Sequence, residues 1–178
     1  LLNAITGQSL AVVSEVKGTT TDPVSKSMEL LPLGPVVFID TPGLDDSGTL
    51  GELRVKKSFQ VLHKTNMGIL VVDGKTLLRE GKEKYEEIEK PILAEVEKRK
   101  IPYVIAVNKE EFLSSQEKEQ AVLLIGKRDK VMFVSAEQMT NIHELKDRLG
   151  ALKEKEKKEG KLAGDLLKLG DLAARVVP

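Results

Sequence analysis

The chain has 178 residues, 28 Lys+Arg against 28 Asp+Glu, 40% hydrophobic residues and no Cys. This length suits one domain of ordinary size with a short extension, and the balanced charge excludes a net field that would draw in nucleic acid or an anionic membrane. The missing Cys excludes disulfides, thiolate metal sites and cysteine catalysis, and no apolar run is long enough to span a bilayer, so the expectation is a soluble cytoplasmic protein with no nucleic-acid or membrane partner.

Leu1 to Thr6 reads as the end of a helix capped by Gly7. Ser9 to Pro23 is Gly- and Thr-rich without a period and reads as a loop. Met28 to Pro32 and Pro35 to Asp40 are short apolar runs joined through Leu33-Gly34, which predicts a hairpin. A turn-rich stretch from Asp45 to Thr49 leads into a helix over 50–62. Met67 to Asp73 has the continuous apolar character of a buried strand. A helix follows over 82–100, and Pro91 is expected to kink it or to start a second one. Tyr103–Val107 is the next strand, Ser114–Ile125 the next helix, and Val131–Val134 the last strand of the series. Ile142, Leu145 and Leu149 then stripe a final helix. Strands alternating with helices predict an α/β fold with a doubly wound, mainly parallel sheet.

Past Gly150 the composition changes. Residues 151–161 carry the charge run Lys153 to Glu159 and read as a helix end or linker, and 162–178 resumes with apolar residues as if another domain began. The chain opens without Met in an apolar helix and stops in the strand-like Val176-Val177-Pro178, so both ends read as cut.

Four short motifs carry the chemistry. Val36 to Ile39 delivers Asp40 to a strand end, and Thr41-Pro42-Gly43 turns the chain there. An Asp in that place helps to hold Mg²⁺, and a Gly lets its N–H approach a terminal phosphate. Ahead of it, Gly18-Thr19-Thr20-Thr21-Asp22 offers hydroxyls on a loop that can order around Mg²⁺ and a γ-phosphate. After it come Asn108-Lys109-Glu110-Glu111 and Ser135-Ala136. An Asn can tether neighbouring loops, a Lys stem can cover a purine face, and a carboxylate two residues on can grip guanine N–H groups. That carboxylate is Glu111, where an Asp is usual. Each motif alone reads as a turn, a Thr-rich surface loop or a solvated helix start. Three of them at predicted carboxyl ends of strands point to one shared site, where open parallel sheets bind ligands. His63 reads as a polar cap, His143 has no metal-ligating neighbour in sequence, and Asp45, Asp46 and Asp73-Gly74 read as turns.

In this order the motifs resemble those of the TrmE-like branch of translation-factor-related GTPases. Thr19–Val24, Met28–Val36, Gly43–Asp46 and Leu50–Val55 look more particularly like the HydF family of [FeFe]-hydrogenase maturation GTPases, over residues 1–150. The resemblance implies a GTPase domain at 1–150, a charged linker at 151–161 and the start of a dimerisation domain at 162–178. It implies a metal site of Thr20 and Asp40 for Mg²⁺, with Gly18, Thr19, Thr21, Asp22, Thr41 and Pro42 as switch residues. Gly43 would meet the γ-phosphate, and Asn108, Lys109, Glu111, Ser135 and Ala136 would surround the base. GTP or GDP is the implied ligand, K⁺ the implied substitute for an arginine finger, and an iron–sulfur cluster belongs to a later domain. Hydrogenase maturation proteins, the hydrogenase and a second copy through the following domain are the implied partners. The first strand and its Gly-Lys-Ser phosphate loop are expected upstream of Leu1, so GTP hydrolysis in this chain is expected to be impaired. A GTPase of the same branch in tRNA modification or ribosome assembly, and a nucleotide-free docking or dimerisation module, are the alternatives.

Overall fold

The computed structural model describes residues 1–7, 24–41, 59–158 and 170–175. Residues 24–41 form the expected hairpin. Strand β1 (Val24–Leu30) and strand β2 (Gly34–Thr41) pair antiparallel from Val24 opposite Asp40 to Leu30 opposite Gly34. Gly34 makes the turn at φ 80, a backbone region that L side chains avoid. Strand β3 (Met67–Asp73) is buried at every position, as is β4 (Tyr103–Asn108), while β5 (Val131–Phe133) lies at the sheet edge.

The period of two divides β3 and β4 between two cores. Ile69, Val71, Val104 and Ala106 face one side, where they join Leu2 and Ile5 of helix α1 (Leu2–Thr6). Leu70, Val72, Ile105 and Val107 face the other, against Leu77, Tyr85, Ile92, Leu93 and Val96 of helix α2 (Gly74–Lys98) and Ala121 and Ile125 of helix α3 (Ser115–Ile125). Helix α4 (Ile142–Lys158) closes the first side with the predicted stripe Ile142, Leu145 and Leu149. Strands covered on both faces must be apolar throughout, which is why these two read as unbroken hydrophobic runs.

The six strands run in the order β1-β2-β6-β3-β4-β5, and every pair but β1–β2 is parallel. Strand β6 is Gly170–Arg175. It fills the slot between β2 and β3, with Val36 opposite Gly170 and Met67 opposite Leu172. The expected gap for a first strand is therefore occupied by six residues that the sequence assigns to the segment after the linker. An empty slot at the sheet centre would leave two rows of backbone N–H and C=O groups buried and unpaired, and β6 satisfies both.

One helix departs from expectation. Helix α2 begins at Gly74 rather than Lys82, and its break lies at Gly81 (φ 74, ψ −167), not at Pro91. Gly alone takes that conformation cheaply, while Pro91 sits on an exposed face where the carbonyl it frees can be hydrated. The charge run, read as a helix end or linker, continues α4 to Lys158 and so forms a helix end, since Lys and Glu are good helix formers and can pair along the face. Helix α3 starts as predicted. Ser114 and Glu117 form a reciprocal capping box, and Lys75 joins Glu117 at 2.6 Å. The Lys75 contact, together with the Ser114 bonds, lowers the Glu117 carboxyl to about 2. Of the helix expected over 50–62, only the turn at 59–62 lies among the described residues. No helix among the described residues is long and apolar enough to cross a membrane.

Gly150 brings α4 against the hairpin. A Cβ built there would lie 2.8 Å from Pro32 Cγ, and Lys153 Nζ donates to the Leu33 carbonyl one turn on. Gly150→Ala would gain about 1 kcal/mol of helix propensity, while forcing the rigid proline ring aside costs about 1–3 kcal/mol. The expected result is a net loss, seen as a lower urea midpoint. A raised midpoint would mean that the hairpin yields freely.

Candidate functional site

Because β2, β6, β3, β4 and β5 are parallel, their carboxyl ends share one edge of the sheet. Asp40 and Thr41 end β2 there, Asp73 ends β3, Asn108 ends β4, and Val134-Ser135 follows β5. Val24 starts β1 opposite Asp40, so the chain enters the hairpin at the same edge. Gly18, Thr19, Thr20, Thr21, Asp22, Pro42 and Gly43 lie outside the described residues, as do Asp45 and Asp46. Asp40 is thus placed by its backbone alone. A carboxylate there and a Thr hydroxyl are the hard oxygen donors that Mg²⁺ takes.

The best-defined part surrounds β4 and β5. Asn108 is buried, and its Oδ1 accepts from the Ala136 N–H at 3.0 Å, which ties the loop after β5 to the end of β4. Ser135 is fully buried. Its N–H donates to the Thr140 carbonyl and its Oγ accepts from the Gln138 N–H at 2.9 Å, so the loop closes on itself. Lys109 has left-handed backbone (φ 64, ψ 39), and its ammonium meets Asp73 Oδ2 at 2.7 Å. A turn of 3₁₀-helix, Glu110–Phe112, follows directly.

The two acids of that turn are not alike. Glu110 is buried and committed. It accepts from Lys118 Nζ at 2.7 Å and from Asn141 Nδ2 at 3.3 Å, and its own N–H donates to the Val134 carbonyl. Glu111 keeps both carboxylate oxygens secluded from solvent with no hydrogen-bond partner among the described residues. A buried carboxylate without donors is costly, so an arrangement that keeps one is suited to a ligand that brings N–H groups.

Asp73, which the sequence reads as a turn, proves to be central. It is buried at the end of β3, its Oδ1 accepts from the Thr76 N–H at 2.9 Å to cap α2, and its other oxygen holds Lys109. Burial pushes its carboxyl upward, but the Lys109 and Thr76 bonds outweigh burial and leave it below the usual Asp value. The signal was present: an Asp that ends a buried apolar run three residues before a backbone N–H has the spacing of a helix cap. Glu110, Lys118 and Asn141 are the other residues that sequence reasoning missed, and no local pattern marks them as partners. The chain's one Gly-Lys-Thr triplet, Gly74 to Thr76, opens α2 straight from β3, and its Lys75 is turned to Glu117.

The two histidines lie apart from this edge chemistry. His63 faces the Arg99 guanidinium at 2.9 and 3.1 Å, rather than capping a helix, and His143 meets Asp147 at 3.0 Å. No cluster of three metal-ligating side chains occurs among the described residues.

Comparison with known proteins identifies the family. The sequence profile of a family described as 50S ribosome-binding GTPase matches residues 1–109. GTPase Era of Borrelia hermsii is 30% identical over 158 residues, which cover 85% of this chain and 51% of that protein. The tRNA modification GTPase MnmE of Flavobacterium johnsoniae is 31% identical over 158 residues, 84% of this chain and 32% of that protein. The chain thus spans about half the length of that Era and about a third of that MnmE. Among solved structures, Era in complex with MgGDPNP and nucleotides 1506–1542 of 16S ribosomal RNA shares the fold, with a TM-score of 0.60 and 21% identity over 85% of this chain and 50% of that one. With the fold, the carboxyl-edge motifs and the profile in agreement, the chain belongs to this family and is a P-loop GTPase of the Era, MnmE and Der kind.

Proposed function

We propose that this chain is the guanine-nucleotide domain of a GTP-hydrolysing switch, with Glu111 as the group that reads the base. The observation carrying this is the secluded Glu111 carboxylate, without a partner among the described residues and two residues beyond Lys109. Guanine presents two neighbouring donors, N1–H and the N2 amine, and a carboxylate accepts both at once. Asn108 holds the Ala136 loop as one wall, and the Lys109 stem supplies another. Ser135 and Ala136 would contribute backbone contacts to the base. Asp40 and Thr20 would hold Mg²⁺, and Gly43 would meet the γ-phosphate. Mg²⁺ held there would supply charge neutralisation at the phosphates for hydrolysis by water. Gly18, Thr19, Thr21, Asp22, Thr41 and Pro42 would change contacts with the state of the nucleotide.

Calorimetric titration with GDP, IDP and ADP tests the reading. GDP is expected to bind best, and IDP, which lacks the N2 amine, at least about tenfold more weakly, since a hydrogen bond to a charged group contributes about 1.5–3 kcal/mol. ADP should not compete. Equal binding of GDP and ADP would remove Glu111 as the group that reads the base, and binding of neither would instead support a nucleotide-free docking module.

For the whole protein, two readings have specific support. The relatives Era and MnmE support a role in ribosome assembly or tRNA modification. The segments Thr19–Val24, Met28–Val36, Gly43–Asp46 and Leu50–Val55 support a HydF-like hydrogenase maturation factor, with maturation proteins and hydrogenase as partners and K⁺ as a helper cation. In that second reading residues 162–178 lead into a dimerisation domain, the iron–sulfur site lies further on, and a strand preceding Leu1 would compete with β6 for the central slot. A Cys/His cluster downstream favours the maturation factor, and an RNA-binding domain there favours the other.

A further inference from the structure

Lys109 could leave its ammonium in water, since its side chain is half exposed, yet it is directed onto one of the most buried carboxylates of the sheet edge. Register makes the pairing possible. Asp73 lies directly opposite Asn108 on the neighbouring parallel strand, and the left-handed backbone of Lys109 turns its side chain back towards β3 instead of along the following turn. The Thr76 N–H fixes the other carboxylate oxygen, so Asp73 cannot swing. A helix cap alone does not require this charge, because Asn or Ser caps as well as Asp. The carboxylate is therefore explained by Lys109, not by α2.

We propose that Asp73 is a positioning residue for base recognition, holding the Lys109 ammonium so that the lysine stem forms a fixed wall beside the Glu111 carboxylate. This inference rests on the guanine-binding reading given above. Asp73 touches no base in it and acts through Lys109 alone. Without the pair, the lysine regains rotamer freedom, and that freedom must be lost again on binding.

The test is a double-mutant cycle read by GDP titration of the protein, with thermal unfolding of each variant alongside. Asp73→Asn keeps an acceptor for Thr76 but loses the charge, and Asp73→Ser is a second capping variant should the first fold poorly. Lys109→Met keeps the stem and removes the ammonium. Each single change is expected to weaken GDP binding about tenfold, and the double change no more than either alone, since contacting residues couple strongly. Losses that multiply in the double variant would overturn the proposal, as would GDP affinity unchanged in Asp73→Asn. A stability loss with unaltered affinity would make Asp73 a helix cap only. Absence of GDP binding by the unaltered protein would remove the guanine reading itself, which is a different failure.

Discussion

Glu111→Gln is expected to weaken GDP binding roughly a hundredfold while leaving the fold intact, because the charge-assisted pair to guanine is replaced by one in which an amide N–H₂ confronts donor N–H groups. Both Glu111 oxygens are secluded without a partner among the described residues, so the exchange breaks no hydrogen bond there and relieves a secluded carboxylate. Stability should hold or rise slightly as affinity collapses. Xanthine carries a carbonyl where guanine has its amine, and XDP is expected to gain on GDP in the variant, since the new amide can donate to it. Titrating both nucleotides into both proteins reads the inversion. A parallel loss of GDP binding and thermal stability would instead make Glu111 a structural residue. Glu111→Asp separates charge from reach: Glu is one methylene longer than the usual Asp, and the variant shows whether the turn at Glu110–Phe112 is placed for the longer side chain.

The second large effect lies in the core. Leu145→Ala should cost about 3 kcal/mol, the size found when a fully buried leucine is truncated and its surroundings cannot collapse. Leu145 is fully buried and belongs to the cluster formed by α1, α4 and one face of β3 and β4. Its neighbours there are held by the sheet ladder, which cannot relax into the space. Against a typical total of about 5–15 kcal/mol, this is a large fraction of the fold's stability. Urea unfolding should give a markedly lower midpoint at unchanged slope. A shift below about 1 kcal/mol would mean that α4 packs loosely on the sheet.

Much of this was legible in the chain itself. The hairpin across Leu33-Gly34, the buried strands from Met67 and Tyr103, the Ser114 start of α3 and the Ile142/Leu145/Leu149 stripe are local facts of period, turn chemistry and capping, and each appears where the residues predict it. The GTPase branch was legible for the same reason, since Asp40–Gly43, Asn108–Glu111 and Ser135-Ala136 are short motifs at strand ends, while the finer likeness to HydF stays a proposal.

What only the tertiary structure decided is who meets whom. Residues 170–175 occupy the sheet centre because two strand edges there need a partner, and strand pairing over such sequence distance leaves no local mark. The break in α2 fell to Gly81 over Pro91 because Gly alone enters that backbone region without strain. Asp73 looked like a turn until the register set it opposite Asn108 and beside Lys109. Adjacent acids that read alike in sequence, Glu110 and Glu111, part company because Lys118 and Asn141 reach only the first. A residue's type fixes which bonds it can make, and the fold, by bringing distant strands into register, fixes which of them form.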